Sequence, residues 1–387
     1  MNAILSSHGR FHAFRMAEQL EKHKVLKVLY TQDLLKEQDN LSSSKVKGRK
    51  ILRLLRYIDV LFMFLPWLSA LEVRWFSFKR KAHDRYVKKS LSKLTGYDPF
   101  VGMHGCCLES IRQAKAAGAV TIVEHGGNFP LHREQVLENA ARDLKAKFKK
   151  TYNRDYLQEF EEADHITVLS EYSKRTFVEN GYSKDKIKVV PLGVDLSLFK
   201  PQEKKDEVFR IIYVGRLCVA KGVHLLLEAF HEVHLKNSEL LLIGAMQKDI
   251  EPFIRKHAGG GYEKGVRIVR PKKQSELHKY YSSGSVFVFP SLDDGFGMVV
   301  LEAMACGIPI IATENSGAGS LIDGNGYIIT ANYKEAIKEK IIKLYNEPDL
   351  CRKMSKVSIA IAKKNTWDDY GKKLIELYEG LLREKRK

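Results

Sequence analysis

The chain has 387 residues, of which 44% are hydrophobic and 29% charged, and its formal net charge is +18. This length predicts about two ordinary α/β domains, and the composition excludes a disordered or low-complexity chain. The positive charge is concentrated in residues 1–150, which hold 28 Lys and Arg against 14 Asp and Glu. Such a surface suits polyanions, but charge alone does not distinguish a nucleic acid, an anionic membrane and an acidic glycan.

The N-terminal sequence lacks the basic start and long apolar run of a secretory signal. We therefore predict a first β-strand at Asn2–Leu5 and expect the chain in the cytoplasm. The five cysteines are odd in number and lack zinc-type spacing. This pattern predicts reduced thiols, no disulfides and no metal site.

The turn after this first strand, His8-Gly9-Arg10, is the first candidate for ligand binding. The Gly9 amide and Arg10 could face a phosphate, although the full Gly-x-Gly-x-x-Gly pattern of a dinucleotide site is absent. Two further predicted strands end in histidines, at His104 and at His125. A histidine there could hydrogen-bond a sugar hydroxyl or stabilise positive charge, but isolated histidines are more often structural.

One apolar segment, Val60–Leu71, raises the question of a membrane. Its twelve uncharged residues are too few for a spanning helix, which needs about 20. The basic flanks Lys45–Arg56 and Lys79–Lys93, with Trp67 and Trp75, suit a surface that enters a lipid headgroup layer. An ordinary core helix beside a solvated basic segment fits equally well, so both interpretations stay open.

Short apolar runs alternate with helical patterns along most of the chain, which is typical of parallel sheets built from strand–helix–strand units. Two such series follow each other, and we predict an α/β protein with two Rossmann-like domains facing each other across a cleft. The first series of strands is Asn2–Leu5, Val25–Tyr30, Phe100–Met103, Val120–Glu124, His165–Leu169 and Ile187–Pro191. The second is Phe209–Gly215, Leu240–Gly244, Val266–Val269, Val286–Pro290, Ile308–Ala312 and Tyr327–Ile329.

The loop from Gly215 to Gly222 follows the first strand of the second series and precedes a helical pattern. Its glycines allow close approach of a ligand, Arg216 offers a bidentate fork for phosphate oxygens and Lys221 adds a mobile charge. A diphosphate would fit this loop. The alternative is an ordinary loop with two solvated cations.

A second loop follows the strand Val286–Pro290 and leads into a predicted helix, Met298–Ala305. Asp294 stands at its mouth and Glu302 lies about one turn inside the helix. Free amides there could bind phosphate or sugar oxygens, and Glu302 could accept hydrogen bonds from vicinal hydroxyls. Alternatively, Asp294 caps the helix and Glu302 is a buried structural partner.

Together these motifs resemble glycosyltransferase family 4, a large retaining group with the two-domain GT-B fold. The likeness is strongest from about Ala163 to Thr330 and lies in the order and spacing of the motifs. They are Ala163-Asp-His-Ile-Thr-Val-Leu-Ser170, Val189-Val-Pro-Leu-Gly193-Val194-Asp195, Gly215-Arg216 through Lys221-Gly222, and Asp294-Gly-Phe-Gly-x-x-x-x-Glu302-Ala-Met-Ala-Cys-Gly-x-Pro309.

The resemblance implies roles for individual residues. Arg216 and Lys221 would bind the donor diphosphate, and Glu302 would hold the nucleotide ribose. The residues that would face the transferred sugar are Asp294, the amides of Gly295, Phe296 and Gly297, and His125. Gly9 and Gly215 complete the set of candidate donor-binding residues.

The resemblance also implies a role for each of the two domains. The polar segment Phe199–Glu207 separates an acceptor-binding domain, residues 1–200, from a nucleotide-sugar-binding domain, residues 201–365. Residues 366–387 resemble the family's C-terminal helix, which returns to the first domain. The first 160 residues match the family little, as expected if they carry the acceptor site.

Two residues depart from the family pattern. Asp294 replaces the usual Glu and is one methylene shorter, which leaves its reach to the sugar and the identity of the sugar open. Ser320 stands where a Glu is common.

The function implied is a metal-independent, retaining transfer of a sugar from a nucleoside-diphosphate donor, UDP- or GDP-linked, to an acceptor hydroxyl. The acceptor would be a glycan or a lipid-linked compound, in surface polysaccharide or glycolipid assembly at the cytoplasmic membrane face. No other cofactor and no nucleic acid are expected, since no nucleic-acid module is recognisable. Alternatives are a nucleotide-sugar epimerase, a phosphorylase, or a non-catalytic relative that binds a polyanion or membrane.

Overall fold

The computed structural model of the chain describes residues 1–36, 39–49, 69–146, 148, 150, 152–258 and 265–386. Within them the strands form two separate parallel sheets, which confirms the predicted α/β class. No helix in these ranges is long and apolar enough to cross a membrane. The segment Val60–Leu71 lies outside the part whose side chains are described, so its two interpretations stay open.

The first sheet has seven strands in the order β3-β2-β1-β4-β5-β6-β7. Its strands are apolar along most of their length because helices cover both faces. The strands are β1 Ala3–Ser7, β2 Leu26–Thr31, β3 Val46–Lys47, β4 Phe100–Met103, β5 Thr121–His125, β6 His165–Val168 and β7 Ile187–Val189. The helices are α1 Ala13–Lys22, α2 Ser69–Leu91, α3 Leu108–Ala116, α4 Pro130–Asp143, α5 Leu157–Glu162 and α6 Glu171–Val178.

The second sheet has six strands in the order β10-β9-β8-β11-β12-β13. The strands are β8 Phe209–Val214, β9 Ser238–Ile243, β10 Val266–Val269, β11 Val286–Phe289, β12 Ile310–Thr313 and β13 Gly326–Ile329. The helices are α7 Val223–Val233, α8 Glu251–Ala258, α9 Gln274–Tyr281, α10 Met298–Ala305, α11 Lys334–Asn346, α12 Pro348–Lys363 and α13 Trp367–Arg386.

The predicted strands are confirmed, each end lying within two residues of the observed one. The sequence missed β3, which has only two residues at the edge of the first sheet and no apolar run. In each sheet the direction in which successive strands are added reverses once. The reversal lies between β1 and β4 in the first sheet and between β8 and β11 in the second. Loops that follow such strands diverge and leave a crevice at the carboxyl end of the sheet.

The last helix, α13, packs on α1 of the first domain, although it follows the second sheet in sequence. Tyr378 is fully buried there, with its hydroxyl 3.9 Å from the Met16 sulfur. Lys22 pairs with Asp368 at 2.7 Å. The C-terminal helix therefore ties the end of the chain to the first domain.

Candidate active site

The loops after β8 and β11 meet at Lys221 and Asp294. Gly222 follows Lys221 with a left-handed φ of +67°, and a Cβ on it would lie 1.9 Å from the Pro290 carbonyl oxygen. Only glycine permits this approach. The Lys221 ammonium consequently reaches Asp294 and forms an ion pair with it.

Asp294 is mostly buried, and its electrostatics are dominated by Lys221. Burial acts to raise the pKa of Asp294, but the charge and hydrogen bond of Lys221 outweigh it, so that the pKa is lowered. The backbone amide of Phe296 adds a hydrogen bond of 2.9 Å to the same carboxylate. Asp294 is therefore ionised, and Lys221 already has an anionic partner.

Arg216 differs from Lys221 because its side chain is exposed. Its backbone is fixed, since the Tyr213 hydroxyl donates to the Arg216 carbonyl at 2.8 Å. A Cβ at the adjacent Gly215 would lie 2.8 Å from that same hydroxyl oxygen, which accounts for the glycine. Among the described residues the Arg216 guanidinium forms no ion pair, so it is available to a ligand anion.

Glu302 is buried on α10 and is hydrogen-bonded by two side chains. Gln274 donates to Oε1 at 2.7 Å, and the Tyr281 hydroxyl donates to Oε2 at 2.9 Å. Burial raises the pKa of Glu302 to about 7, although both hydrogen bonds act to lower it. Because Gln274 is exposed at the start of α9, it can leave Glu302 to a ribose hydroxyl without disturbing the core.

A cleft of about 1040 Å³ lies between the two domains. The second domain lines it with Asp294, Phe296, Gly297 and Met298, and the first domain contributes the larger share. Gly297 has a φ of +79° as α10 begins. The predicted sugar-facing loop is thus at the cleft, whereas Arg216 and Lys221 are not among the residues that line it.

The same loop contacts the first domain directly. Asn128 and the Tyr172 hydroxyl donate to Asp293 Oδ1 at 2.7 Å and 3.0 Å, and Ser170 donates to the Gly295 carbonyl at 2.6 Å. A Cβ on Gly295 would lie 2.7 Å from the Gly127 Cα. Burial raises the pKa of Asp293. The sequence offered no signal for Asp293 beyond its place beside Asp294, because its partners come from the other domain.

His125 lines the cleft, and its surroundings make it a neutral ring. Burial lowers the pKa of His125 to about 3, and nearby His104 acts in the same direction. Its Nε2 lies 2.9 Å from the Asn128 carbonyl oxygen and must therefore donate. The ring packs edge-on against Phe160, with centroids 5.3 Å apart. The neutral ring can therefore take part in hydrogen bonds but adds no positive charge to the cleft.

A histidine–glutamate pair that the sequence did not reveal lies in the cleft. His12, just before α1, has its Nε2 2.8 Å from Oε1 of Glu124 on β5. Thr167 donates to the other oxygen of this buried carboxylate. The His12 ring also lies against Gly126, where the two domains meet. His12 and Glu124 are 112 residues apart, so only the fold brings them together.

The turn after β1 differs from the prediction in one respect. Arg10 is ion-paired with Asp39 and stacks on Phe14, with its guanidinium 4.0 Å from the ring centroid. It is therefore engaged by the protein instead of facing a phosphate. The assignment of Gly9 to the donor site stays a prediction.

Two family models match the chain in succession. Residues 102–198 match the model described as Glycosyltransferase Family 4, and residues 196–360 match the model described as Glycosyl transferases group 1. An uncharacterized glycosyltransferase of Methanocaldococcus jannaschii is 31% identical over 57% of this chain and 60% of its own length. The capsular polysaccharide biosynthesis glycosyltransferase CapM of Staphylococcus aureus is 32% identical over 49% of this chain and 54% of its own. The chain spans less than two thirds of the length of these curated relatives.

Solved structures resemble the chain over almost its whole length. Sucrose-phosphate synthase from Thermosynechococcus elongatus has a TM-score of 0.71 at 18% identity and covers 99% of this chain and 100% of its own. Anabaena HepE in complex with UDP has a TM-score of 0.72 at 14% identity and covers 98% of this chain and 100% of its own. At these identities the likeness shows the fold, which is GT-B.

Proposed function

The chain belongs to the group 1 glycosyltransferases, and we propose that it transfers a sugar from a nucleoside-diphosphate donor to an acceptor hydroxyl. The observation that carries this proposal is the meeting of the loops after β8 and β11, where Lys221 and Asp294 pair beside an exposed Arg216. A cationic phosphate-binding loop thus lies next to a carboxylate and to the Gly295–Gly297 amides at the cleft.

Charge development on the leaving diphosphate is what the protein must stabilise. Arg216 supplies an unpaired positive charge for it, and Lys221 supplies a second when the diphosphate competes with Asp294 for its ammonium, so the proposed reaction needs no metal ion. The reaction retains the configuration of the sugar, with acceptor and leaving group on one face and a phosphate oxygen receiving the acceptor proton. The protein then contributes orientation and charge, which together account for large rate effects.

Glu302 is proposed to hold the ribose, and UDP or GDP to be the nucleotide, with no other cofactor. HepE, which has the same fold, was crystallised with UDP and with UDP-glucose. This supports a UDP-linked donor over a GDP-linked one. The capsular polysaccharide biosynthesis relative CapM supports a role in surface polysaccharide assembly.

We further propose that the first domain works in the cytoplasm at an anionic membrane face, where lipid-linked acceptors reside. The basic helix α2 and the exposed ring of Phe78 on it support this placement. Pelleting with anionic and with neutral vesicles tests it: salt-sensitive binding to the anionic vesicles alone is expected. The placement would be contradicted if equal amounts of protein pelleted with anionic and with neutral vesicles, or if the protein bound duplex DNA in preference to the vesicles.

The donor site is tested by thermal shift against UDP, GDP, ADP and their sugar conjugates with EDTA present, because a ligand of the folded state raises the melting temperature. We expect one nucleotide family to stabilise the wild type and to lose its effect in Lys221→Ala. The matched control is Lys356→Ala, an exposed lysine on α12, which should respond like the wild type.

The same preparations distinguish the alternatives. Interconversion of the free nucleotide sugar without an acceptor would indicate an epimerase, and cleavage that depends on inorganic phosphate would indicate a phosphorylase. If no nucleotide changes the melting temperature of the wild type, the transferase proposal fails and a non-catalytic relative remains.

A further inference from the structure

The first-domain wall of the cleft carries three arginines. Arg74 and Arg80 lie on α2 and Arg133 lies on α4, and all three line the cleft. Within the described ranges none of them forms an ion pair with a carboxylate. The Arg80 guanidinium lies 5.7 Å from the centroid of the Tyr156 ring, which orients it without cancelling its charge.

The carboxylates that line the same cleft are hydrogen-bonded or ion-paired to other groups of the protein. Glu124 is held by His12 and Thr167, and Asp294 by Lys221. Glu134 accepts from the Tyr152 backbone amide at 3.0 Å. The three arginines outnumber the two carboxylates of this wall, Glu124 and Glu134. The wall therefore presents net positive charge to a ligand, in a crevice where water screens it less than on an open surface.

Aromatic side chains lie between these arginines. Phe76, Tyr152 and Tyr156 line the cleft with them. Tyr152 is fixed through its hydroxyl, which lies 2.9 Å from Nε2 of His104. Rigid aromatic faces offer apolar surface to the C–H faces of sugar rings, and guanidinium groups bind phosphate and carboxylate in bidentate geometry.

We infer that the acceptor is an anionic sugar compound, with a phosphate or carboxylate group bound by Arg74, Arg80 and Arg133 while its sugar ring packs on the aromatic residues. This inference rests on the proposed function and specifies the acceptor class for that same cleft. The space supports it: about 1040 Å³ is at the upper end of small-molecule sites, which hold roughly 300–1000 Å³.

The test measures by calorimetry how tightly sugar probes bind to the full chain. UDP or GDP is present, whichever of the two stabilises the protein in the thermal-shift screen. The probes are glucose 6-phosphate, methyl glucuronide and a short polyprenyl-diphosphate N-acetylglucosamine in neutral micelles, each compared with neutral methyl glucoside. We expect at least one anionic probe to bind about tenfold more tightly than the neutral sugar, since a charge-assisted pair is of that order. The tightest probe identifies the source of the anion.

Arg80→Gln and Arg133→Gln should each remove most of this preference while leaving nucleotide binding unchanged. The matched control is Arg85→Gln, because Arg85 is exposed on the same helix as Arg80 but does not line the cleft. Arg74→Gln provides a variant at an exposed position that cannot disturb a core. Melting temperatures without ligand verify that the variants fold.

Two results would overturn the inference while leaving the proposed function intact. One is equal binding of anionic and neutral probes by a wild type that binds nucleotide. The other is an equal loss of the preference in Arg85→Gln and Arg80→Gln. Failure of the wild type to bind any nucleotide would instead count against the proposed function itself.

Discussion

The chemistry of Glu302 is set by burial more than by its neighbours along the chain. Its pKa is raised to about 7 from the ordinary 4.5 because the carboxyl is desolvated inside α10. Between these values the folded state holds a proton that the unfolded state has released. The free energy of unfolding therefore falls as pH rises through this window.

A comparison of wild type with Glu302→Gln tests this shift. Glutamine keeps partners for Gln274 and Tyr281 but does not titrate, so the wild type should lose stability relative to it between about pH 4.5 and pH 7. The loss should reach up to about 3 kcal/mol, measured by urea unfolding at both pH values. A difference that stays constant with pH would show that Glu302 titrates normally.

The two cations of the donor loop should respond differently to substitution. Arg216→Ala and Lys221→Ala are each expected to reduce transfer about a hundredfold or more, because each removes charge from the leaving diphosphate. Only Lys221→Ala should also lower stability, by roughly 1–3 kcal/mol, since it leaves the mostly buried Asp294 unpaired. Steady-state kinetics and chemical unfolding measure the two effects.

The double variant Lys221→Ala, Asp294→Asn separates the two effects further. It should recover part of the lost stability, because no buried charge is left unpaired, without recovering transfer. Normal turnover in Arg216→Ala, or recovery of turnover in the double variant, would contradict the assigned roles.

At the scale of elements, the second sheet places the loops that carry Lys221 and Asp294, and α13 completes the first domain. The strands that carry the loops are continuous apolar runs, and glycine permits the closest contacts between those loops. Gly222 lies against the Pro290 carbonyl, and the Gly371 Cα on α13 faces Gln19 of α1, where a Cβ would lie 2.5 Å from Oε1. The last helix is thus a structural part of a domain to which it is remote in sequence.

Tyr378→Ala should destabilise this helix pair by about 3–5 kcal/mol, because it empties a fully buried aromatic site between α1 and α13. Glu379→Ala, exposed at the next position of α13, is the control and should change the free energy of unfolding by no more than about 0.5 kcal/mol. Guanidinium unfolding followed by circular dichroism gives both values. Equal stabilities of the two variants would show that α13 is not needed by the first domain.

At the scale of the whole molecule, contacts around Asp293 join the two domains beside the cleft. Asn128 and Tyr172 of the first domain donate to one oxygen of this buried carboxylate. Its other oxygen, Oδ2, has no hydrogen-bond partner among the described residues. Few polar contacts of this kind hold two large domains together, so domain opening is expected when they are lost.

Asp293→Ala should therefore enlarge the radius of gyration measured by small-angle X-ray scattering, and a bound nucleotide should reverse the change only in part. Tyr172→Phe removes one of the two hydrogen bonds and should give an intermediate value. Asp185→Ala, at an exposed position of the first domain, is the control. An unchanged radius in Asp293→Ala would show that other contacts close the cleft.

The sequence by itself determined the two parallel sheets and the loops after β8 and β11, because apolar periodicity and glycine placement are local properties of the chain. It did not reveal β3, whose two residues depend on pairing with β2 for their conformation. Only the tertiary structure decided that Lys221 pairs with Asp294, that His12 meets Glu124 and that Asp293 joins the domains. Those contacts unite side chains from distant segments, and such distances are fixed by how helices and sheets pack.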